Sequence, residues 1–198
     1  IIVFEGIEGT GKSHHINNVA KYLKKKNRKF LQIREPGGSK NSEIIRKLIL
    51  NNKSTFNRYT DLLLYLSARS ENIELIRKNI GKTIILIDRF SDSTIAYQHY
   101  GMGIDLKFIK NINNFLLKDI DIDFTFLNTV NQKNMKKRLI KRKNLNRYDK
   151  FNYNFYNKVQ KGFLKILRKN KKKYLKIDSN LSIKHNEKLI LNKINDLI

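Results

Sequence analysis

Cysteine and tryptophan are absent from the 198 residues, and proline occurs once, at Pro36. Without cysteine there is no disulfide scaffold, no thiolate metal site and no cysteine nucleophile, which fits a reducing compartment and makes a cytoplasmic location the expectation. No apolar run approaches the roughly 20 residues that cross a bilayer, so no membrane partner is expected. Acidic residues are also scarce, 17 against 42 Lys and Arg, giving a formal net charge of +25. Such an excess suits phosphate-rich partners. Here the basic residues are spread along the chain, as in Lys24-Lys25-Lys26, Lys136-Lys137-Arg138 and Lys171-Lys172-Lys173. No aromatic residues interleave with them in a base-stacking pattern, so specific nucleic-acid binding is not expected.

What is present has the size of one domain, with 40% hydrophobic residues to fill a core. Neither a repeat nor a linker interrupts residues 1–198, and a single domain is expected. Apolar and helical signals alternate. Strands are expected at Ile1–Glu5, Phe30–Arg34, Ile84–Asp88, Phe124–Leu127 and Tyr174–Ile177. Helices are expected from about Ser13 to Lys26, around Ile44 to Ile49, from Arg58 to Asn79 and from Leu106 to Leu117, with others after them. The run Ile84-Ile85-Leu86-Ile87 suits a strand covered on both faces. The pattern reads as an α/β fold with a central parallel sheet flanked by helices.

The residues Gly6-Ile7-Glu8-Gly9-Thr10-Gly11-Lys12-Ser13 satisfy the Walker A pattern, between a strand and a helix as that motif requires. Its backbone N–H groups, with the dipole of the helix behind them, can cradle the phosphates of ATP. Gly6, Glu8, Gly9, Thr10 and Gly11 form the cradle, Lys12 reaches the β- and γ-phosphates, and the Ser13 hydroxyl is a magnesium ligand. Asp88 ends an apolar strand, where a second magnesium-site carboxylate belongs, and Arg89 follows at once. A cation beside the metal-binding strand suggests a second phosphate-bearing substrate. No Asn-Lys-x-Asp motif for reading guanine is found.

Four stretches in order carry a resemblance: Phe4 to Ser13, Arg34-Glu35-Pro36-Gly37-Gly38, Asp88 to Gln98, and Asn146-Arg147-Tyr148-Asp149. The chain resembles the bacterial thymidylate kinases, P-loop nucleoside monophosphate kinases. The resemblance implies a P-loop NTPase fold with a five-stranded parallel sheet and a small lid at about 142–150. It implies ATP- and Mg²⁺-dependent phosphorylation of dTMP to dTDP, by a homodimer. Arg34 and Arg89 would clamp the acceptor phosphate, and Glu8 would face the sugar. Tyr65, where the family usually has Phe, would stack on the base, and Arg69 would hydrogen-bond it. Thr94, Tyr97 and Gln98 would complete that pocket. With no arginine in the P-loop, catalytic charge would come from the lid, through Arg142, Lys143 or Arg147, and Arg46 would lie near the nucleotide.

A phosphate acceptor is already anionic, so no general base is needed, and Lys12, Arg89 and a lid arginine would share the transferring charge. Two other readings stay open on the residues alone: a kinase for another nucleotide or a nucleoside, and a basic ATP-binding module acting on nucleic acid.

Overall fold

The computed structural model describes residues 1–143 and 145–198; Asn144, inside the expected lid, lies outside them. Five strands, β1 (Ile2–Glu5), β2 (Phe30–Arg34), β3 (Ile84–Asp88), β4 (Phe124–Thr129) and β5 (Tyr174–Asp178), form one sheet in the order β2-β3-β1-β4-β5. Every neighbouring pair is parallel. The helices are α1 (Lys12–Lys25), α2 (Lys40–Leu50), α3 (Arg58–Asn79), α4 (Ser91–Thr94), α5 (Leu106–Leu116), α6 (Gln132–Ile140), α7 (Tyr153–Lys169) and α8 (Ile183–Leu197).

Alternation along the strands assigns side chains to two faces. Ile2, Phe4, Leu86 and Phe126 meet Ile16, Val19 and Leu23 of α1 and Ile190 and Ile194 of α8. Val3, Ile85 and Ile87 point the other way, against Ile73 and Ile76 of α3. Both faces are therefore dry, which is why these strands read as unbroken apolar runs. Strand β4 runs two residues past the expected Leu127, because Asn128 and Thr129 pair with Ile177 and Asp178 of β5. Those two polar residues gave no strand signal of their own.

The helices begin where a side chain satisfies their free N–H groups. Ser39, Asn57, Asp105, Asn131, Asn152 and Ser182 cap α2, α3, α5, α6, α7 and α8 in this way. Helix α1 is different. Its N-cap is Gly11, in the left-handed region at φ 81°, with no side-chain cap. Its first N–H groups are left for a ligand.

After α4 the chain continues as a π-helical segment, Ile95–Gly101, which no periodicity in the sequence announced. Tyr97 and Gln98, within this wider turn, line one cavity with Thr94, the last residue of α4. The segment packs tightly on α7: a Cβ on Gly162 would stand 2.4 Å from the Tyr100 ring, and one on Gly101 2.7 Å from Phe155.

Gly6 closes the turn between β1 and the phosphate loop at φ +136°, where an added Cβ would lie 2.2 Å from the Asn128 carbonyl oxygen. Gly6→Ala is therefore expected to destabilise the fold by roughly 2–4 kcal/mol, from backbone strain plus overpacking. Chemical denaturation measures it, and an unchanged midpoint would show that β4 yields freely there.

Candidate active site

The loops after β1, β2 and β3 and the segment after α6 surround one cavity of 490 Å³. On its floor the phosphate loop folds around Lys12, whose Nζ donates to the carbonyls of Gly6 (2.8 Å) and Ile7 (3.0 Å). Thr10 braces the turn by donating to the Ile7 carbonyl at 2.7 Å. Burial, and then the charge of Arg89, bring the Lys12 ammonium down to about 8. Its charge is costly here until an anion arrives.

Arg89 follows β3 with φ 67°, a left-handed conformation unusual for a side chain of this size. It turns back over the phosphate loop, donating to the Gly6 carbonyl at 2.8 Å and pairing with Glu8 at 2.7 Å. The guanidinium also lies 5.1 Å from the Tyr97 ring centroid. Tyr97 in turn donates its hydroxyl to the second oxygen of Glu8. Glu5, fully buried at the end of β1, fixes the turn from below. It accepts from the Phe90 N–H (2.8 Å) and from the Ser93 N–H (3.2 Å) and hydroxyl (2.5 Å). Burial, reinforced by Asp92, pushes its carboxyl up to about 8.

On the far wall Tyr65 and Arg69 stand one turn apart on α3. Arg69 is buried, pairing with Glu35 (2.8 Å) and donating to Asn113 Oδ1 (2.7 Å). Burial of Glu35 outweighs that pairing and raises its carboxyl. The second oxygen of Glu35 and the amide nitrogen of Gln98 are buried without a partner among the described residues, and both residues line the cavity. They are set to meet a polar ligand. Two more arginines reach this side. Arg34 spends its donors on Glu43, at 2.9 to 3.1 Å, and is 55% exposed. Arg46 is half-buried, donates to the Pro36 carbonyl, and forms no ion pair among the described residues.

Above the phosphate loop, Arg138 of α6 donates to the carbonyls of Gly9 (2.8 Å) and Ser179 (2.6 Å). One turn on, Arg142 pairs with Asp149 at 2.5 Å, half-exposed at the cavity rim.

The Ser13 hydroxyl donates to Asp88 Oδ2 at 3.0 Å. A hydroxyl and one carboxylate are hard oxygen donors of the kind magnesium uses when substrate phosphates supply the remaining ligands. Among the described residues no three His, Cys, Asp or Glu side chains cluster as an all-protein metal cage. The donor set fits magnesium.

A thymidylate kinase family profile matches residues 4–190. The chain belongs to the thymidylate kinase family. It is 40% identical over 167 residues to a thymidylate kinase of Thermosipho africanus, covering 83% of each chain. It is 35% identical over 196 residues to one from a Sulfurihydrogenibium species, covering 98% of this chain and 95% of that one. The crystal structure of a thymidylate kinase from Ehrlichia chaffeensis superposes with a TM-score of 0.78 at 29% identity, covering 98% of this chain and 97% of that one. The strand order and phosphate loop are those of a P-loop NTPase within this family.

Of the residues expected at the site, all but Gly6, Lys143 and Arg147 line the cavity. Gly6 contributes its carbonyl and its close approach to β4. Arg147 lies away from the cavity lining: its guanidinium is held by Asp61 and the Ile49 carbonyl, with Phe56 and Tyr148 rings 5.5 and 5.0 Å away. It faces α3 because a buried carboxylate there outcompetes the open cavity. Arg34 reaches the rim but is engaged by Glu43, whereas Arg46 has no carboxylate partner among the described residues. Arg138 was missed, its only signal being a place one turn before Arg142.

The buried Glu35–Arg69 pair makes a clear prediction. Arg69→Met leaves Glu35 buried and uncompensated, and is expected to cost about 3–5 kcal/mol in urea unfolding. The double variant Glu35→Met with Arg69→Met should recover much of that. No recovery would mean that Asn113 and Phe90 need the guanidinium for packing.

Proposed function

We propose that this chain transfers the γ-phosphoryl group of ATP to the phosphate of dTMP, releasing dTDP and ADP. The observation that carries the reading is the phosphate loop and Arg89 meeting, through Glu8, in one cavity with Tyr65, Arg69 and Gln98. One end of that cavity suits a triphosphate, and the other suits a flat base with polar edges.

The nucleophile is an oxygen of the acceptor phosphate. It forms a bond to the γ-phosphorus as the bridging bond to ADP breaks, in line. That oxygen is already anionic, so no side chain removes a proton. Lys12 leaves the Gly6 and Ile7 carbonyls for the β- and γ-phosphates. Arg89, with Arg46 and Arg34 beside it, holds the acceptor phosphate, and Arg142 covers the transferring group from the lid. Glu8 keeps Arg89 and Tyr97 in register and faces the sugar. Tyr65 lies against the base, whose edge meets Gln98 and Arg69. Ser13 and Asp88 would hold magnesium, which when bound neutralises charge on the β- and γ-phosphate oxygens. The lid at about 142–150 excludes water, which would otherwise accept the phosphoryl group.

We extend the reading to one domain over residues 1–198, in a cytoplasmic homodimer. No helix among the described residues is long and apolar enough to cross a membrane.

The testing experiment is ADP release with ATP and magnesium, offering dTMP, dUMP, dCMP, dGMP, UMP and thymidine in turn. Strong preference for dTMP is expected. Arg142→Ala should lower kcat by roughly 10³-fold, as for other arginines that cover a transferring phosphoryl group. Thymidine as the preferred acceptor would sink the reading, since it brings no phosphate for Arg89. Turnover driven by polynucleotide would sink it as well.

Lys12 supplies a second test. Its proton affinity is depressed in the free protein, so it is partly neutral from about pH 8 upward, and a bound triphosphate restores the charge. Lys12 should therefore contribute proton uptake on binding near pH 8 that is absent near pH 6, where the nucleotide's terminal phosphate instead gives up protons. Calorimetry in buffers of different ionisation heats measures this, and no uptake at either pH would mean that Lys12 is charged throughout.

A further inference from the structure

Asp61, Tyr65 and Arg69 follow one another at four-residue spacing along α3 and share one face of it. The last two line the cavity, while Asp61 does not. Its side chain is 2% exposed, a costly position for a carboxylate without partners. It is not needed to cap the helix, because Asn57 already accepts from the N–H groups of Tyr59 and Thr60 at 3.0 Å.

Both partners of Asp61 come from the lid. One carboxylate oxygen accepts from the Arg147 guanidinium, the other from the Tyr148 hydroxyl. Arg147 also donates to the Ile49 carbonyl at the end of α2, and Asn52 donates to the Leu145 carbonyl at 2.9 Å. From the other side Tyr156 donates to the Tyr148 carbonyl. The Tyr148 ring is thereby fixed edge-on to Tyr65, with centroids 5.7 Å apart and planes at 86°. It also stands 6.1 Å from Tyr97 and lines the cavity.

We propose that Asp61 is a positioning residue that latches the lid onto the acceptor-side helix and holds Tyr148 as a wall of the acceptor-base pocket. The lid then does two jobs from one short segment. Arg142 faces the phosphates, while Tyr148, six residues later, closes the base pocket against Tyr65. An acceptor base seated on Tyr65 adds contact to Tyr148 and favours the latched lid. Binding of the acceptor and placement of the lid arginine are thus joined through one carboxylate. This rests on the dTMP reading for the identity of the base, but the latch itself does not.

Two variants test it. Asp61→Asn keeps the shape and removes the charge; Tyr148→Phe keeps the ring and removes the tethering hydroxyl. Each is expected to raise KM for dTMP by about tenfold, the effect of losing a strong buried hydrogen bond, with KM for ATP changed by less than about twofold. Equal changes in both KM values, or no change in either, would overturn the pocket-wall role. Amide hydrogen exchange of residues 145–151 in the ligand-free protein reads the latch without any acceptor. Faster exchange there in both variants, with the β-strand amides unaffected, is expected, and unchanged lid protection would overturn the latch. If the parent protein turns over no dTMP, the functional reading fails alone and the exchange result still judges the latch.

Discussion

The parallel register of β1, β3 and β2 is the constraint on which the site depends. Phe4 lies opposite Asp88, and Asp88 opposite Arg34. All three strands therefore end at one level, and each loop starts from the same edge of the sheet. A shift of one residue in either pairing would turn alternate side chains over and move Asp88 away from Ser13. The dry layers on both faces prevent it, since Ile85 and Ile87 would have to exchange places with Leu86 against different helices. The core thus sets a distance of 3.0 Å between two polar atoms at its rim.

The same edge concentrates positive charge, and the structure handles it group by group. Lys12 rests on carbonyls of its own loop, Arg89 on Glu8, Arg34 on Glu43 and Arg142 on Asp149. These four cations line the cavity. Glu35–Arg69 and Asp61–Arg147 are more enclosed pairs that hold walls in place. Preorganised cations of the first kind favour charge that develops in the transition state. Pairs of the second kind keep the surrounding side chains from relaxing around it.

Much of this was legible in the chain. Strands β2 and β3 and helix α3 have the bounds expected from the sequence. The phosphate loop was legible because its chemistry needs glycine, lysine and a hydroxyl at fixed intervals. What stayed hidden depends on side chains from distant segments choosing between partners. Arg34 and Arg46 look equivalent in sequence until Glu43 takes one of them. Arg147 looks like an unpaired lid cation until Asp61, 86 residues earlier, is seen beside it. The π-helical turn was invisible for another reason: it is a change of phase, and Tyr97 and Gln98, which line the cavity, lie within it.

The separation between global and local charge explains why a net charge of +25 says little about the chemistry. Most of the lysines lie on exposed helix surfaces, where solvent and salt screen each one beyond about 8–10 Å. Lys12, Arg69 and Arg89 lie in surroundings where screening is weak and a misplaced charge is costly. Each is accordingly fixed by named partners within hydrogen-bonding distance. Replacing surface lysines alters the first population and leaves the second untouched. The local electrostatics of the cavity therefore follow from a handful of enclosed cations, and the carbonyls and carboxylates that hold them decide where each lies.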